Sequence, residues 1–267
     1  MIKLNNELIT PKYFSDATLD IKMDIDILNK DNNIIEWYFD NNEELIVLYF
    51  VTRYIQSKAI DNIDLFMPYI PNARKDRAQR SKDVFSLKYF SEIINNLNFK
   101  NVYVLDPHSI VSEALIDRIR IITPEKYILR VLDKLDASTI MFYPDEGAMK
   151  RYSGKFDKEF TYGIKVRDKE TRVINSLQIE GDLENIKDKD ILMVDDICAS
   201  GKTLCIAAKK LKELGAKNIY VYVSHLENHA TNSELLEVIN KLYTTNSLFR
   251  NNHPKIEIIE ISAKDIS

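Results

Sequence analysis

Two adjacent carboxylates, Asp195 and Asp196, stand just ahead of a run of small, hydroxyl-bearing and cationic residues, Ala199-Ser200-Gly201-Lys202-Thr203. The segment from Ile191 to Val194 before them is apolar and bounded by charge, which reads as a buried strand. After them Leu204, Ile206, Ala207, Leu211 and Leu214 recur at helical spacing as far as Gly215, a helix stop. Strand, loop and helix in that order put the backbone N–H groups of Ala199 to Thr203 at a helix N-terminus. Unpaired donors and the helix dipole favour a phosphate there. The carboxylates fall at the carboxyl end of the strand, where open α/β sheets bind ligands, and paired carboxylates are good partners for ribose hydroxyls. The stretch is suited to a ribose phosphate.

Ser200-Gly201-Lys202-Thr203 resembles the end of a Walker A loop, but that loop needs a glycine five residues before its Gly-Lys pair, and position 196 is Asp. An acidic loop with no ligand is the plainer alternative. It leaves vicinal carboxylates repelling each other beside an anion nest, with no cation or hydroxyl to use them.

Other loops carry further chemistry. From Pro71 to Lys82 runs the densest basic stretch, with Arg74, Lys75, Asp76, Arg77 and Arg80, between a strand expected at 64–69 and a helix at 86–97. Such a run is commonly a solvated face. Arginines gathered in a loop also clamp polyphosphates, because guanidinium groups bind phosphate oxygens in pairs. A strand at 101–105 delivers Asp106-Pro107-His108-Ser109, a histidine placed to act as ligand or proton-transfer group. His225, His229 and His253 are expected on the surface. A strand at 140–143 leads into the acidic loop Pro144-Asp145-Glu146-Gly147-Ala148 and a short helix from about Met149.

The remaining elements position these loops. Strands are expected near Leu8 and over the alternating Leu19, Ile21 and Met23, with Phe14-Ser15-Asp16 between them. A helix is expected at 41–55, a strand at 161–167, a polar and mobile segment at 168–172, and strands at 218–223 and 255–261 around a helix at 235–242. Strands and helices alternate twice over, which predicts two α/β domains with parallel sheets and right-handed crossovers, at 1–123 and 124–267, the last strand packing back on the first.

A length of 267 residues accommodates two modest cores, and a formal charge of −4 argues against broad nucleic-acid binding. No run approaches a membrane span and the N-terminal stretch lacks a signal-type apolar core, so a cytoplasmic protein is expected. The two cysteines, Cys198 and Cys205, have neither zinc nor disulfide-framework spacing and read as small buried thiols.

Taken together, these loops resemble the ribose-phosphate pyrophosphokinase (phosphoribosyl pyrophosphate synthetase) family. Arg74-Lys75-Asp76-Arg77 looks like its ARQD loop, Asp106-Pro107-His108-Ser109 its DLHA motif, and Tyr143-Pro144-Asp145-Glu146-Gly147 its SPDxG loop. Lys165-Val166-Arg167 resembles the mobile catalytic loop, Val194-Asp195-Asp196 the ribose-phosphate loop, and Phe14-Ser15-Asp16-Ala17-Thr18 the FxDGE segment. Thr245-Asn246 has a counterpart as well.

The resemblance implies two type I phosphoribosyltransferase-like domains, each a mainly parallel sheet flanked by helices, with ATP loops in the first and the ribose-phosphate loop in the second. It implies Mg2+-dependent transfer of the β,γ-diphosphate of ATP to the anomeric hydroxyl of a ribose 5-phosphate compound, releasing AMP, in nucleotide or NAD metabolism. Phe14 and Asp16 would hold adenine, and Arg74, Lys75, Asp76 and His108 would line the ATP site. His108 and Asp145 would hold Mg2+, and Lys165, Arg167 and His108 would act in catalysis. Asp195, Asp196 and Ala199 through Thr203 would bind the ribose phosphate, and the chain would form a homodimer or larger homo-oligomer.

The family's DTxGT loop is here Ala199-Ser200-Gly201-Lys202-Thr203, with one acid fewer and one cation more. Lys75 replaces its glutamine and Thr18 its glutamate. The changed loop favours a more anionic acceptor, so ribose 5-phosphate and ADP-ribose both stand as acceptors. A phosphoribosyltransferase, or a silent regulatory partner of a synthetase, are the alternatives. The first leaves the Arg74 loop and Asp106-Pro107-His108 without a role, and the retained Lys165 and Arg167 count against the second.

Overall fold

The computed structural model describes residues 1–78, 80–167 and 174–266, the side chains of 165–167 and 174–176 excepted. It divides into two compact units, one of Met1–Thr123 with the tail from Ile261, the other of Pro124–Glu260.

The first unit runs β1 (Ile2–Leu4), β2 (Glu7–Ile9), β3 (Lys12–Tyr13), β4 (Leu19–Asp20), β5 (Asn33–Trp37), α1 (Glu44–Gln56), β6 (Ile63–Phe66), α2 (Ser86–Asn96), β7 (Asn101–Leu105), α3 (Ile110–Leu115) and β8 (Ile119–Ile122). Its sheet has the order β2-β1-β5-β6-β7-β8, with β5 to β8 parallel and β1 antiparallel to both neighbours. The β1–β2 turn uses Asn5 and Asn6 at φ of 50° and 73°, a left-handed geometry that Asn tolerates. Helix α1 opens on Glu44 and buries Val47, Leu48, Val51 and Ile55, while α2 buries Leu87, Phe90 and Ile94 into the same core. These spacings turn one stripe of each helix to the sheet.

The second unit runs α4 (Glu125–Leu132), β9 (Ile140–Tyr143), α5 (Glu146–Tyr152), β10 (Phe160–Arg167), β11 (Ile174–Glu180), β12 (Asp190–Cys198), α6 (Lys202–Glu213), β13 (Asn218–Leu226), α7 (Leu235–Val238), β14 (Lys241–Thr245) and β15 (Ile256–Ile259). The sheet order is β11-β10-β9-β12-β13-β14-β15, and only β11 is antiparallel to its neighbour. Ile140, Phe142, Ile191, Met193, Val221 and Val223 of the strands pack with Leu204, Ala207, Ala208 and Leu211 of α6.

Several expectations are corrected. Helix α5 begins at Glu146 rather than near Met149, because Asp145 caps it by accepting the Ala148 N–H at 2.9 Å. The helix expected at 235–242 stops at Val238, and Leu242 belongs to β14. The last strand, β15, pairs in parallel with β14 within the second unit. The tail beyond it does join the first unit: the Tyr38 hydroxyl donates to the Ile261 carbonyl at 2.8 Å, and the Ala263 N–H donates to the buried Glu36 carboxylate at 3.2 Å. Strands β1, β3, β5, β8, β11 and β14 carry no expectation from the pattern. In β5 the buried polar residues Asn33 and Glu36 break up the apolar run. The segment 168–172 lies outside the described residues.

Candidate active site

Strand β12 runs on through both carboxylates to Cys198, so the turn is shorter than expected, only Ala199 to Gly201. The Asp196 N–H donates to Asp195 Oδ1 at 3.0 Å, and the Ile197 N–H to Asp196 Oδ1 at 2.8 Å. Arg151, in the last turn of α5, reaches Asp196 Oδ2 with Nη1 at 3.1 Å. Burial pushes the Asp195 carboxyl well above the ordinary carboxylate range, and the neighbouring Asp196 and Asp145 carboxylates push the same way. Asp145, Asp195 and Asp196 thus gather negative charge at the strand's carboxyl end.

Helix α6 starts from Gly201 at φ +71°, whose carbonyl accepts the Cys205 N–H at 2.8 Å. No side chain caps this helix, its first turn contains no acidic residue, and exposed Lys202 stands there instead. A cation in that position opposes the helix dipole unless an anion sits with it. A Cβ on Gly201 would lie 2.9 Å from Ser233 Oγ and 3.2 Å from Leu235 Cβ, besides requiring a left-handed backbone. Gly201→Ala is therefore expected to cost about 1–3 kcal/mol, read as a lower denaturant midpoint at constant slope. Cys198 is buried, and burial with Asp195 beside it raises the thiol to about 12, so it is protonated at neutral pH and no nucleophile.

In the first unit, the basic loop and the turn after β7 come together. Asp76 chelates Arg77 through Nε at 2.9 Å and Nη2 at 3.0 Å and also accepts from the Ser109 hydroxyl. Arg77 foremost, then Ser109 and half-buried His108, hold the Asp76 carboxyl below its usual value. Asp76 thus organises the loop from within, leaving Arg74 and Lys75 exposed. Ser109 caps α3 by accepting the Val111 N–H at 3.2 Å, and buried Asp106 takes φ of 41° to make the turn. Phe14 is 57% exposed at the tip of the β3–β4 hairpin. Beside it Asp16 Oδ1 accepts the Thr18 hydroxyl at 2.7 Å and its N–H at 3.0 Å, contacts that lower its pKa.

Lys165 and Arg167 lie on β10, which pairs with β11 and shifts register between Val166 and Arg167; their side chains are outside the described residues. Among the described residues no group of three His, Cys, Asp or Glu is arranged to hold a metal ion. None of the described helices is long and apolar enough to cross a membrane.

Two features were missed in the sequence. Arg151 is one basic residue among several and nothing in its spacing links it to Asp196. His225, expected on the surface, is 3% exposed, its Nδ1 2.8 Å from Ser247 Oγ. Strand β13 runs on to Leu226, which carries His225 inside. The alternation of small polar residues there, Ser224, Thr245 and Ser247, all buried, was the available clue.

Two mainly parallel α/β sheets, with the carboxylates and the small-residue turn at the end of a central strand in the second, define the type I phosphoribosyltransferase class. Residues 148–249 match the phosphoribosyl transferase domain. The structure of phosphoribosylpyrophosphate synthetase from Mycobacterium smegmatis superposes with a TM-score of 0.76 over 95% of this chain and 86% of its own, at 18% identity, which is a likeness of fold. A ribose-phosphate pyrophosphokinase of Saccharolobus solfataricus is 23% identical over 231 residues, 85% of this chain and 77% of that one. Another, from Bradyrhizobium diazoefficiens, is 28% identical over 241 residues, 85% of this chain and 75% of that one. Along most of its length the chain is thus similar, as a divergent relative, to ribose-phosphate pyrophosphokinases, which are transferases.

Proposed function

We propose that the protein transfers the β,γ-diphosphate of ATP to the anomeric hydroxyl of a ribose 5-phosphate compound. The bond from the β-phosphorus to the bridging oxygen breaks, AMP leaves, and the product is phosphoribosyl pyrophosphate or its ADP-ribose counterpart. The observation that carries the reading is the desolvated Asp195 beside the Gly201 turn, a carboxylate and an anion nest on one strand–loop–helix. Arg74 and Lys75 would take the ATP phosphates, with Phe14 stacking on the base. Lys165 and Arg167 would neutralise charge developing on the transferring group, since phosphoryl-type transfer is mainly positioning and charge stabilisation.

The donor set suits Mg2+: carboxylates crowded enough to raise Asp195 gain from a hard cation, and Mg2+ keeps waters and substrate oxygens and needs no protein cage of three ligands. Asp145 in the second unit and His108 in the first would each offer Mg2+ a ligand, with Asp195 available to a second ion. When bound, Mg2+ supplies charge neutralisation on the phosphate oxygens. Assembly into a homodimer or larger homo-oligomer belongs to the same proposal; exposed Ile46, Tyr49 and Phe50 of α1 support it, and light scattering tests it.

Incubation with Mg2+, ATP and either ribose 5-phosphate or ADP-ribose should release AMP with at least one acceptor. Release with neither overturns the reading. Lys202 favours the diphosphate-bearing acceptor, so Lys202→Ala is expected to raise KM for ADP-ribose by about tenfold while changing that for ribose 5-phosphate less. An equal change for both removes the argument for the larger acceptor.

A further inference from the structure

Helix α5 carries two charged groups that address the carboxylate pair from its two ends. Asp145 caps its start and bears electrostatically on Asp195, and Arg151 in its last turn pairs with Asp196. The two members of the pair are consequently unlike. Both Asp196 oxygens are engaged, Oδ1 by the Ile197 N–H at 2.8 Å and Oδ2 by Arg151 at 3.1 Å, and its side chain is 7% exposed. Asp195 accepts the adjoining Asp196 N–H on Oδ1 and its carboxyl is within hydrogen-bonding reach of the Asp196 carboxyl, but among the described residues it has no ion pair. A paired, hydrogen-bonded and buried carboxylate is a poor partner for an incoming hydroxyl, because taking it means giving up a partner already in place.

We propose that Arg151 is a positioning residue: it holds Asp196 as part of the wall of the site and thereby leaves Asp195 as the carboxylate that receives the ribose hydroxyls. This rests on the proposed function and deepens it, replacing two equivalent ribose-binding carboxylates by one ligand and one anchor. Arg151 acts through Asp196 and does not touch the acceptor. Without it the buried Asp196 loses its guanidinium partner, its repulsion of the neighbouring Asp195 is no longer offset, and the acceptor's hydroxyls lose a fixed partner.

The test is calorimetric titration of the wild-type protein and the Arg151→Ala, Arg151→Lys, Asp196→Asn and Arg151→Ala/Asp196→Asn variants with ribose 5-phosphate and with ADP-ribose, alongside KM and kcat from AMP release. Arg151→Ala is expected to weaken the acceptor by about tenfold or more with KM for ATP unchanged, and Arg151→Lys to recover part of the loss, since lysine keeps the charge but not the fork. In the Asp196→Asn background Arg151→Ala should add less than about twofold, the non-additivity of residues acting through one contact. An undiminished loss in that background shows that Arg151 contacts the acceptor itself, and an unchanged affinity of Arg151→Ala shows that the ion pair is only scaffolding; either overturns the assignment. If the wild-type protein binds neither acceptor, the proposed function falls and this inference with it. If the wild type binds and the variants fail the pattern, the inference alone falls.

Discussion

Replacing Lys165 with Ala is expected to lower kcat on the order of 1,000-fold while leaving the affinity for ATP within about twofold. The expectation follows from the role proposed for Lys165. It would meet charge that develops on the transferring diphosphoryl group, whereas the ground-state grip on ATP would belong to Arg74 and Lys75 in the other unit. An interaction made only as the transition state forms appears in kcat and kcat/KM together, and one made throughout appears in KM. Single-turnover AMP release and equilibrium ATP binding on the same variant separate the two. Turnover that survives near the wild-type rate removes Lys165 from the mechanism, and turnover lost together with ATP binding moves it to the donor site.

Asp195→Asn is expected to abolish use of the acceptor, at least 100-fold in kcat/KM, and at the same time to stabilise the fold. Burial, with Asp196 and Asp145 alongside, raises the Asp195 pKa above its unfolded value, so the folded state binds the proton more tightly than the unfolded chain. The sign is the reverse of a salt-bridged carboxylate. As pH rises from the unfolded pKa through the raised folded pKa, the unfolded state loses its proton first and stability falls. Between those two values the wild-type protein loses stability progressively, and the amide variant does not. The variant should melt a few degrees higher at pH 7, with the advantage vanishing in acid below the unfolded pKa, as followed by thermal melts across pH. A variant that melts lower at pH 7 would mean that Asp195 is compensated by a partner and that its crowding is not the site's stored strain.

The sequence carried the parallel second sheet and the ligand end of β12 because each rests on a local pattern: a short apolar run, then acid, then small residues, then a helical repeat. Strands β9 and β7 match their expected spans, 140–143 and 101–105, for the same reason. What escaped depends on distant partners. Glu36 sits in a buried strand because Tyr38 and Ala263 satisfy it, and Asn33 because Asn5 donates to it at 2.9 Å; Ala263 and Asn5 are not visible from within β5. His225 reads as a surface histidine until Ser247 comes beside it. Arg151 becomes part of the site only once α5 turns its last residues toward the end of β12. Asp76, a candidate ATP contact, also anchors Arg77 beside His108, a pairing no local pattern announces.

The tail that returns to the first unit has a consequence for biosynthesis. Tyr38 and Glu36 are translated early, but the backbone groups of Ile261 and Ala263 that satisfy them leave the ribosome only after the whole of Pro124–Glu260. At roughly 5–20 residues per second, that interval is on the order of ten seconds. Throughout it the nascent first unit holds a carboxylate and a hydroxyl in its interior with part of their hydrogen bonding still to come, and by its end the second unit has every residue it needs before the first does. The order of completion is therefore the opposite of the order of synthesis: the second unit, made later, has all its residues before the first.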